Sequence, residues 1–483
     1  MSPLSWVTFY QNRFNLTLSQ NNYKFYVINL STERFCIKIS LRTYVRRVVD
    51  SLDFRDPIHG FIPVRPLERK IIDSRPFQRL RHIKQLSLTN LVYHGAEHTR
   101  FGHSIGVMHL VTRAFKAVVT NKDLFSEEQK EWYEQILRLM ALTHDLGHAP
   151  FSHGSEAVFP DSLVHEDYTD NIIMNTEIAD YIREIGQEFV TKYGEEYNIT
   201  PELICSIYRG RNISNPDFIF LRKFLDSELD CDKMDYLLRD SYYCGVNYGR
   251  YDLERLISTL TVYKEENNKN LYLAIEKGGL YAFEEFVLAR YFMFIQVYFH
   301  RTRRFLDKIL VEFLKKNLPD GKYPEDIDEY LSWNDNVVWR LIKDSQDKDE
   351  YANRLMNRRI MKCVYESPTH SEYNDRRIFN LIKNELEEKF GKDNFIYDSA
   401  DKLAHKIPLK HTIDNEQGIP EQAIPIILGH TKTPGTISTE SGVIKNMTEP
   451  INIWRIYAKE EIVAEAQNFV EKKFEAMSNK KGG

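Results

Sequence analysis

Ten of the chain's 15 histidines lie between His59 and His165, less than a quarter of its 483 residues. The densest run is Thr143-His-Asp-Leu-Gly-His-Ala-Pro-Phe-Ser-His153. An apolar stretch (Ile136, Leu137, Leu139, Met140, Leu142) leads into His144-Asp145 as a buried helix would, and Pro150 forbids its continuation. Adjacent imidazole and carboxylate groups at the end of a buried helix can turn toward one point. That donor mix suits a divalent ion such as Mn, Fe, Zn or Mg. A bare His-Asp pair carries little weight, since about one arises by chance in a chain this rich in both residues. His148 and His153, with a glycine and a proline around them, add much more. The competing structural use is modest: His144 would cap a helix and Asp145 would accept from backbone amides.

Two further segments can complete such a site. Gly95–Gly106 offers His98, Arg100 and His103 at the start of a helix. Leu229–Asp240 places Asp232, Tyr236 and Asp240 four apart, hence along one helical face, with Asp232 as a last carboxylate ligand. Lys233 and Arg239 sit nearby as cations that could face phosphate. A solvated charged helix is the plainer reading of that run, but it fits poorly with the interleaved Leu, Met and Tyr. Arg290, Phe294 and Tyr298 repeat the four-residue spacing; taken alone they read as core.

The elements that must hold these residues are mostly helical. Helix-period segments are expected at Leu67–Leu86, Ser104–Thr120, Glu127–His148, His165–Tyr193, Pro201–Arg209, Asp217–Cys244, Asp252–Leu260 and Leu280–Asn317. Val262–Ile275 reads as an inserted hairpin. Beyond residue 320 the pattern mixes helices (Asp335–Lys343, Asp349–Val364, Asp375–Phe390, Lys459–Ala476) with strands (Lys406–Leu409, Ile424–Leu428, Ile451–Tyr457), and Gly429–Lys445 reads as a mobile loop. Near the start, Phe25–Leu30 and the alternating Phe35, Ile37, Ile39 and Leu41 read as a β-hairpin. The implied division is a β-rich extension over 1–52, a helical domain over 53–320, and an α+β regulatory or oligomerisation region over 321–483.

Composition narrows the class. Hydrophobic residues make up 42% and the formal net charge is −5, so a dedicated nucleic-acid binder is not indicated. No run is long and apolar enough to span a bilayer, and the first residues lack the pattern of a signal peptide. The five scattered cysteines (Cys36, Cys205, Cys231, Cys244, Cys363) form no CxxC and read as reduced thiols, which points to a cytoplasmic protein.

With these segments assembled, the chain resembles the HD-domain deoxynucleoside triphosphate triphosphohydrolases, in the subgroup of the human sterile-alpha-motif and HD-domain enzyme and its bacterial relatives. The landmarks are Asp56-Pro-Ile-His-Gly-Phe, Phe77-Gln-Arg-Leu-Arg, Ile83-Lys-Gln-Leu, His98-Thr-Arg-Phe-Gly-His, the His144–His153 run, Asp232-Lys-Met-Asp-Tyr and Tyr298-Phe-His-Arg. They cover Asp56–Arg304 and resume near Ile451–Phe474. The resemblance implies a mainly α fold: an HD-superfamily helical domain with a smaller α+β C-terminal region, beside the short N-terminal β-hairpin. It implies that His103, His144, Asp145 and Asp232 bind one divalent metal. Arg100, His148, Lys233 and Tyr236 would surround a triphosphate, while Gln85, Leu86, Asp240, Arg290 and Tyr298 would hold the deoxyribose or the phosphates, the Tyr298 ring packing where a ribose 2′-hydroxyl would go. His153 would be the acid or the nucleophile at the α-phosphate, supported by Glu156, with His165 close by. Asp73, Gln78, Arg81, His300, Arg455 and Lys459 match parts of an activator pocket for a Mg-nucleotide between subunits, with Arg255 a weaker match, which implies a homotetramer or dimer.

The chain departs from that pattern in places. Most relatives have Asp at the Glu156 position, and the longer side chain keeps the charge but alters reach. Phe294 and Phe299 stand where the human enzyme has polar residues. The basic pair expected near Glu276 and Gly278 is missing. The expected reaction is dNTP plus water giving deoxynucleoside and inorganic triphosphate. The alternatives are an HD phosphohydrolase acting on a monophosphate, cyclic nucleotide or alarmone, and a nucleotide-sensing or single-stranded nucleic-acid-binding protein.

Overall fold

The computed structural model describes residues 24–30, 33–39, 52–120, 122–161, 163–265, 270–403, 405–408, 422–429 and 434–479. The fold is mainly α-helical, with the N-terminal hairpin and a smaller α+β C-terminal region. The hairpin pairs β1 (Lys24–Leu30) with β2 (Glu33–Ile39) antiparallel, as its alternation predicts. A second hairpin, β3 (Leu52–Asp56) and β4 (Gly60–Val64), was not anticipated. Its turn is set by Asp56, whose Oδ1 accepts from the backbone of Ile58 and His59, and by Gly60 at φ 76°.

Three helices carry the site. Helix α1 (Arg100–Val119) packs on α2 (Glu127–Thr143), which starts in a capping box between Ser126 and Gln129 and buries every residue from Trp132 to Thr143. After the pair α3 (His165–Asn175) and α4 (Glu177–Tyr193) comes α5 (Cys231–Cys244), packed on α1. Asp230 caps α5 by accepting from the Lys233 amide, and Gly245 ends it in the left-handed region. Apolar side chains of all three helices, such as Val107, Leu110, Leu139, Leu142 and Leu237, meet in one core.

Several expected helices are broken, and polar caps explain most of the breaks. Leu67–Leu86 divides at Ser74, which accepts from the Phe77 amide, into Pro66–Asp73, Arg75–Arg79 and a 3₁₀ turn. His165–Tyr193 divides at Thr176, which accepts from the Ile178 amide. Asp217–Cys244 divides into Pro216–Arg222 and α5 because Ser227 and Asp230 take up the intervening backbone. Leu280–Asn317 becomes α6 (Leu280–Met293), a π-turn at Phe294–Tyr298 and α7 (Arg301–Asn317). Such a bulge re-aims side chains and is common at functional sites.

Hairpin β5 (Leu260–Lys264) and β6 (Leu271–Glu276) is as expected; helix α8 (Asp335–Ser345) follows it in the chain. The Asp349–Val364 helix is corrected. Only Glu350–Met356 is helical, Arg358 takes φ 51°, and β7 (Lys362–Glu366) follows. Helix α9 (Tyr373–Phe390) leads to β8 (Phe395–Lys402); β9 (Pro425–Ile427) and β10 (Gly435–Thr436) come next. Strand β11 (Ile451–Ala458) and α10 (Val463–Asn479) close the chain. The order β7-β11-β8 forms one antiparallel sheet, while β10-β9-β6-β5 forms another in which β9 runs parallel to β6. That second sheet draws on residues from both sides of position 320.

Two loop and strand expectations also change. Residues 405–408 form no strand, and Leu409 lies outside the described residues. The described part of Gly429–Lys445 contains β10 and short helices at Ile437–Glu440 and Gly442–Asn446, with Ile437 and Ile444 buried. Its Ser and Thr act as caps: Ser441 accepts from the Ile444 amide and donates to Glu284. Among the described residues no helix is long and apolar enough to cross a membrane, and Cys205, Cys231, Cys244 and Cys363 are free thiols.

Candidate functional site

The end of α2, the first turn of α1 and the first turn of α5 bring His144, Asp145, His103 and Asp232 together. His103 Nε2 lies 3.0 Å from Asp232 Oδ1 and 3.7 Å from Asp145 Oδ2; His144 Nε2 lies 3.4 Å from Asp145 Oδ1 and 3.9 Å from Asp232 Oδ1. Donors bound to one ion at about 2.1 Å sit roughly 3.0–3.4 Å apart in octahedral or tetrahedral geometry, so this spacing needs little adjustment. His103, His144 and Asp145 are all buried.

The outer ring nitrogens decide which atoms face inward. His144 Nδ1 donates to Ala141 O at 2.7 Å, which leaves Nε2 buried and without a partner. His103 Nδ1 donates to Asp235 Oδ2 at 2.8 Å. A histidine held this way offers its other nitrogen as a ligand. Asp235 anchors a larger buried network: it also accepts from His59 Nε2 at 2.7 Å and takes both Nε and Nη2 of Arg239, whose Nη1 reaches Asp56 Oδ2 at 2.8 Å. Arg239 is therefore corrected from a phosphate-facing cation to a buried brace.

The electrostatics suit a cation. Burial opposes charge on His103, but Asp232 and Asp235 raise its pKa to about 10, so without metal a second ring proton is favoured on Nε2, facing Asp232. A divalent ion would replace that proton. Burial likewise opposes charge on Asp145, yet Arg100 (Nη1–Oδ2 2.6 Å), His144 and His148 hold it well below the usual range. An orphaned buried Nε2, a second imidazole fixed by its far nitrogen, and two carboxylates fit a divalent metal; its identity is open among Mn, Fe, Zn and Mg.

A second cluster lies on the other side of Asp145. His148 Nε2 is 3.3 Å from Asp145 Oδ1. Its stacked neighbour His165 (ring centroids 3.9 Å apart) and His153 each place Nδ1 2.9 Å from Glu156 Oε1. Burial, Arg100 and His165 push the His148 pKa well down. Glu156 is lowered: burial resists, but hydrogen bonds from His153 and His165 prevail.

The turn between His148 and His153 is costly. Phe151 and Ser152 have φ of 60° and 53°, conformations worth roughly 1–3 kcal/mol of strain each. Asp335, at the start of α8, holds the turn by accepting from Phe151 N at 2.7 Å and Lys84 N at 2.8 Å. Ser152 adds a donation to Lys84 O and an acceptance from Arg100 Nε, both 2.7 Å. Gly147 is required here, since a Cβ would come 2.0 Å from His165 O.

Comparison with known proteins agrees with this architecture. A family described as "HD associated region" matches residues 251–392. An uncharacterized protein of Bacillus subtilis, YwfO, is 32% identical over 339 residues, covering 65% of this chain and 72% of that one. The crystal structure of a hypothetical protein from Aquifex aeolicus superposes with a TM-score of 0.70 at 32% identity, covering 86% of this chain and 99% of that one. The chain belongs to the HD-superfamily phosphohydrolases. A more distant relative, deoxynucleoside triphosphate triphosphohydrolase SAMHD1 of Danio rerio, is 28% identical over 369 residues, covering 68% of this chain and 58% of that longer protein.

The HD centre opens into a cavity of about 880 Å³, within the range of small-molecule sites. Its walls include every residue expected around a substrate: Gln85, Leu86, Arg100, His148, Lys233, Tyr236, Asp240, Arg290 and Tyr298, together with His153 and His165. Lys233 Nζ is held by Asp230 Oδ2 at 2.5 Å and Arg290 by Glu228 Oε2 at 3.2 Å. Tyr298 donates to Asp240 Oδ2 and His98 Nε2 donates to Asp240 Oδ1, each at 2.7 Å. Gln85 Oε1 is buried without a partner. Phe294 and Phe299, delivered by the π-turn and the residue after it, line the same cavity.

The residues expected around an activator fall into two groups. Gln78 donates to Ile72 O and accepts from Arg81, whose guanidinium lies 3.5 Å from the Phe101 ring centre, while Asp73 pairs with Arg69. In the other group, Arg455 pairs with Glu366 at 2.6 Å and Lys459 lies 3.8 Å from Glu350. Burial, Arg301 and Arg455 lower the His300 pKa, which places His300 in this second group. No hydrogen bond or ion pair among the described residues joins the two. Arg255 donates to Gly278 O at 3.0 Å.

Sequence reasoning missed the braces His59 and Asp235, the latch Asp335, and the cavity-lining Lys402 and Lys406. Asp235 and Arg239 could have been found as an i, i+4 ion pair on a helix with apolar neighbours.

Proposed function

We propose that this protein hydrolyses deoxynucleoside triphosphates to deoxynucleoside and inorganic triphosphate. In this reading one divalent ion is held by His103, His144, Asp145 and Asp232. The observation that carries it is continuity: four donors at coordination spacing border a cavity that also presents Arg100, Lys233, Arg290 and the Asp240–Tyr298 pair. The Danio rerio relative, named a deoxynucleoside triphosphate triphosphohydrolase, supports the same substrate class.

His103, His144, Asp145 and Asp232 would hold a divalent ion, which would supply Lewis-acid chemistry toward the α-phosphoryl group. The chain's own groups do the rest. Arg100, His148, Lys233, Tyr236 and Arg290 bind the triphosphate and offset charge that builds on its oxygens. As water bonds to the α-phosphorus and the P–O5′ bond breaks, His153 keeps its Nδ1 on Glu156 and gives the proton of its other nitrogen to the departing O5′, and the proton that the water releases balances the one given up. His165 shares Glu156 and so limits how far that carboxylate can turn. Gln85, Leu86 and Asp240 hold the deoxyribose, and the Tyr298 ring, fixed through its hydroxyl on Asp240, fills the space of a 2′-hydroxyl.

Nucleotide activation between subunits belongs to the same proposal. Asp73, Gln78 and Arg81 on one protomer and His300, Arg455 and Lys459 on its partner would share one ligand. The test is a chromatographic product screen over four dNTPs, singly and mixed, with Mg and with Mn. Deoxynucleoside and triphosphate are expected. Monophosphate plus pyrophosphate would contradict the site of attack, and no product from any mixture would contradict the reading as a whole.

A further inference from the structure

The cavity wall contains two cations that the HD helices do not supply. Lys402 ends β8 and Lys406 follows it, some 170 residues beyond Asp232 along the chain, yet both line the same cavity as the HD centre. Lys233 and Arg290 are each tied to a carboxylate, Asp230 and Glu228. Among the described residues, the side chains of Lys402 and Lys406 form no ion pair or hydrogen bond; Lys402 Nζ rests 5.6 Å from the Phe294 ring centre.

Electrostatic neighbours order these groups. Arg290 and Lys402 lie against the same Phe294 ring, 5.5 and 5.6 Å from its centre, and Lys402 feels the charges of Arg290, Lys406 and Lys233, with Glu228 opposing them. Positive charge thus runs from the HD centre toward β8. Partial burial and these three cations lower the Lys402 pKa and outweigh the Glu228 carboxylate, which acts in the other direction. Such a group gains most from an anion that reaches all its members.

We propose that Lys402 and Lys406 form the far end of a polyphosphate track and bind the terminal phosphate of a nucleoside triphosphate. This rests on the reading of the cavity as a dNTP site and adds what sets the preferred chain length. Substrates with fewer phosphates reach Lys233 and Arg290 but not the two lysines. The C-terminal region thereby contributes directly to substrate choice.

Calorimetric titration of the full-length protein with inorganic tripolyphosphate and with pyrophosphate, in excess Mg, tests this without relying on turnover. Wild type should bind tripolyphosphate more tightly than pyrophosphate. K402A and K406A should each weaken tripolyphosphate roughly tenfold, the factor expected for one charge-assisted hydrogen bond, and leave pyrophosphate within about twofold. K402R should restore most of the loss. Equal losses for both anions, unchanged tripolyphosphate binding in the double variant, or wild-type protein with no preference for tripolyphosphate would overturn the proposal. Failure of the dNTP reading is seen separately, as absent deoxynucleoside product. If that product forms while the lysine variants bind like wild type, the reaction stands and the track does not.

Discussion

Two histidine clusters share Asp145 between them and use the same residue types, yet they are prepared for different work. At His103 and His144 the Nδ1 atoms are committed to Asp235 and to the Ala141 carbonyl, so the Nε2 atoms face each other's carboxylates. At His153 and His165 the Nδ1 atoms instead converge on one oxygen of Glu156. His148 and His165 are stacked nearly parallel, 16° apart, so their in-plane lone pairs do not converge on a single point. On the proposed reading, the commitment of the outer nitrogen, rather than the count of histidines, separates a ligand cluster from a proton-handling one.

The largest effect expected from breaking this contrast is at His144. His144→Ala should lower bound metal from one ion per chain to a small fraction, with hydrolysis falling by about 10⁴-fold or more, as for other groups without which the ion is lost. His153→Ala should retain the ion and lose roughly 10²–10⁴-fold in kcat, the usual range for a positioned proton donor. Metal content by mass spectrometry alongside kcat distinguishes the two. If both variants lost metal equally, the contrast would not hold.

The turn between His148 and His153 gives the next effect. Burial pushes the Asp335 pKa up to about 6, against the opposing pull of its backbone hydrogen bonds to Lys84 and Phe151. A carboxyl raised in the folded state takes up its proton there before the unfolded chain does. Its contribution therefore favours folding at low pH, declines as pH rises from about 4 to about 6, and is flat above that, a change of roughly 3 kcal/mol. Urea unfolding of wild type and Asp335→Asn across pH 4.5–7.5 should show this slope in wild type alone. The absolute stability of the variant also reflects the acceptor it loses, so the slope is the diagnostic quantity. Parallel pH profiles would contradict the assignment.

The smallest effect is expected at Glu156. Glu156→Gln keeps an acceptor for one imidazole but removes the charge that two share, and kcat should fall by roughly tenfold with metal retained. A loss as large as that of His153→Ala would mean that the carboxylate itself takes part in the reaction.

Much of the centre was legible in the sequence because its groups sit in short, unusual runs. His144-Asp145 with His148 and His153 announces itself, and Asp232, Tyr236 and Asp240 share a helical face that the structure turns into one cavity. What was not legible depends on distance along the chain. Asp335 serves Lys84 and Phe151 from elements that no periodicity links, and neither Lys402 nor the strand it ends was expected from the sequence. Long apolar periodicity also hid the helix breaks, since Ser74, Thr176 and Asp230 look like interior polar residues until their side chains are seen capping. The π-turn at Phe294–Tyr298 had no sequence signal, although it delivers Phe294 and Tyr298 to the cavity.

The most direct test is anomalous diffraction from crystals grown with Mn, collected on wild-type protein. The account predicts one strong peak within about 2.0–2.3 Å of His103 Nε2, His144 Nε2 and oxygens of Asp145 and Asp232. A peak centred instead among His148, His153, Glu156 and His165, or no ordered ion at either cluster, would contradict it.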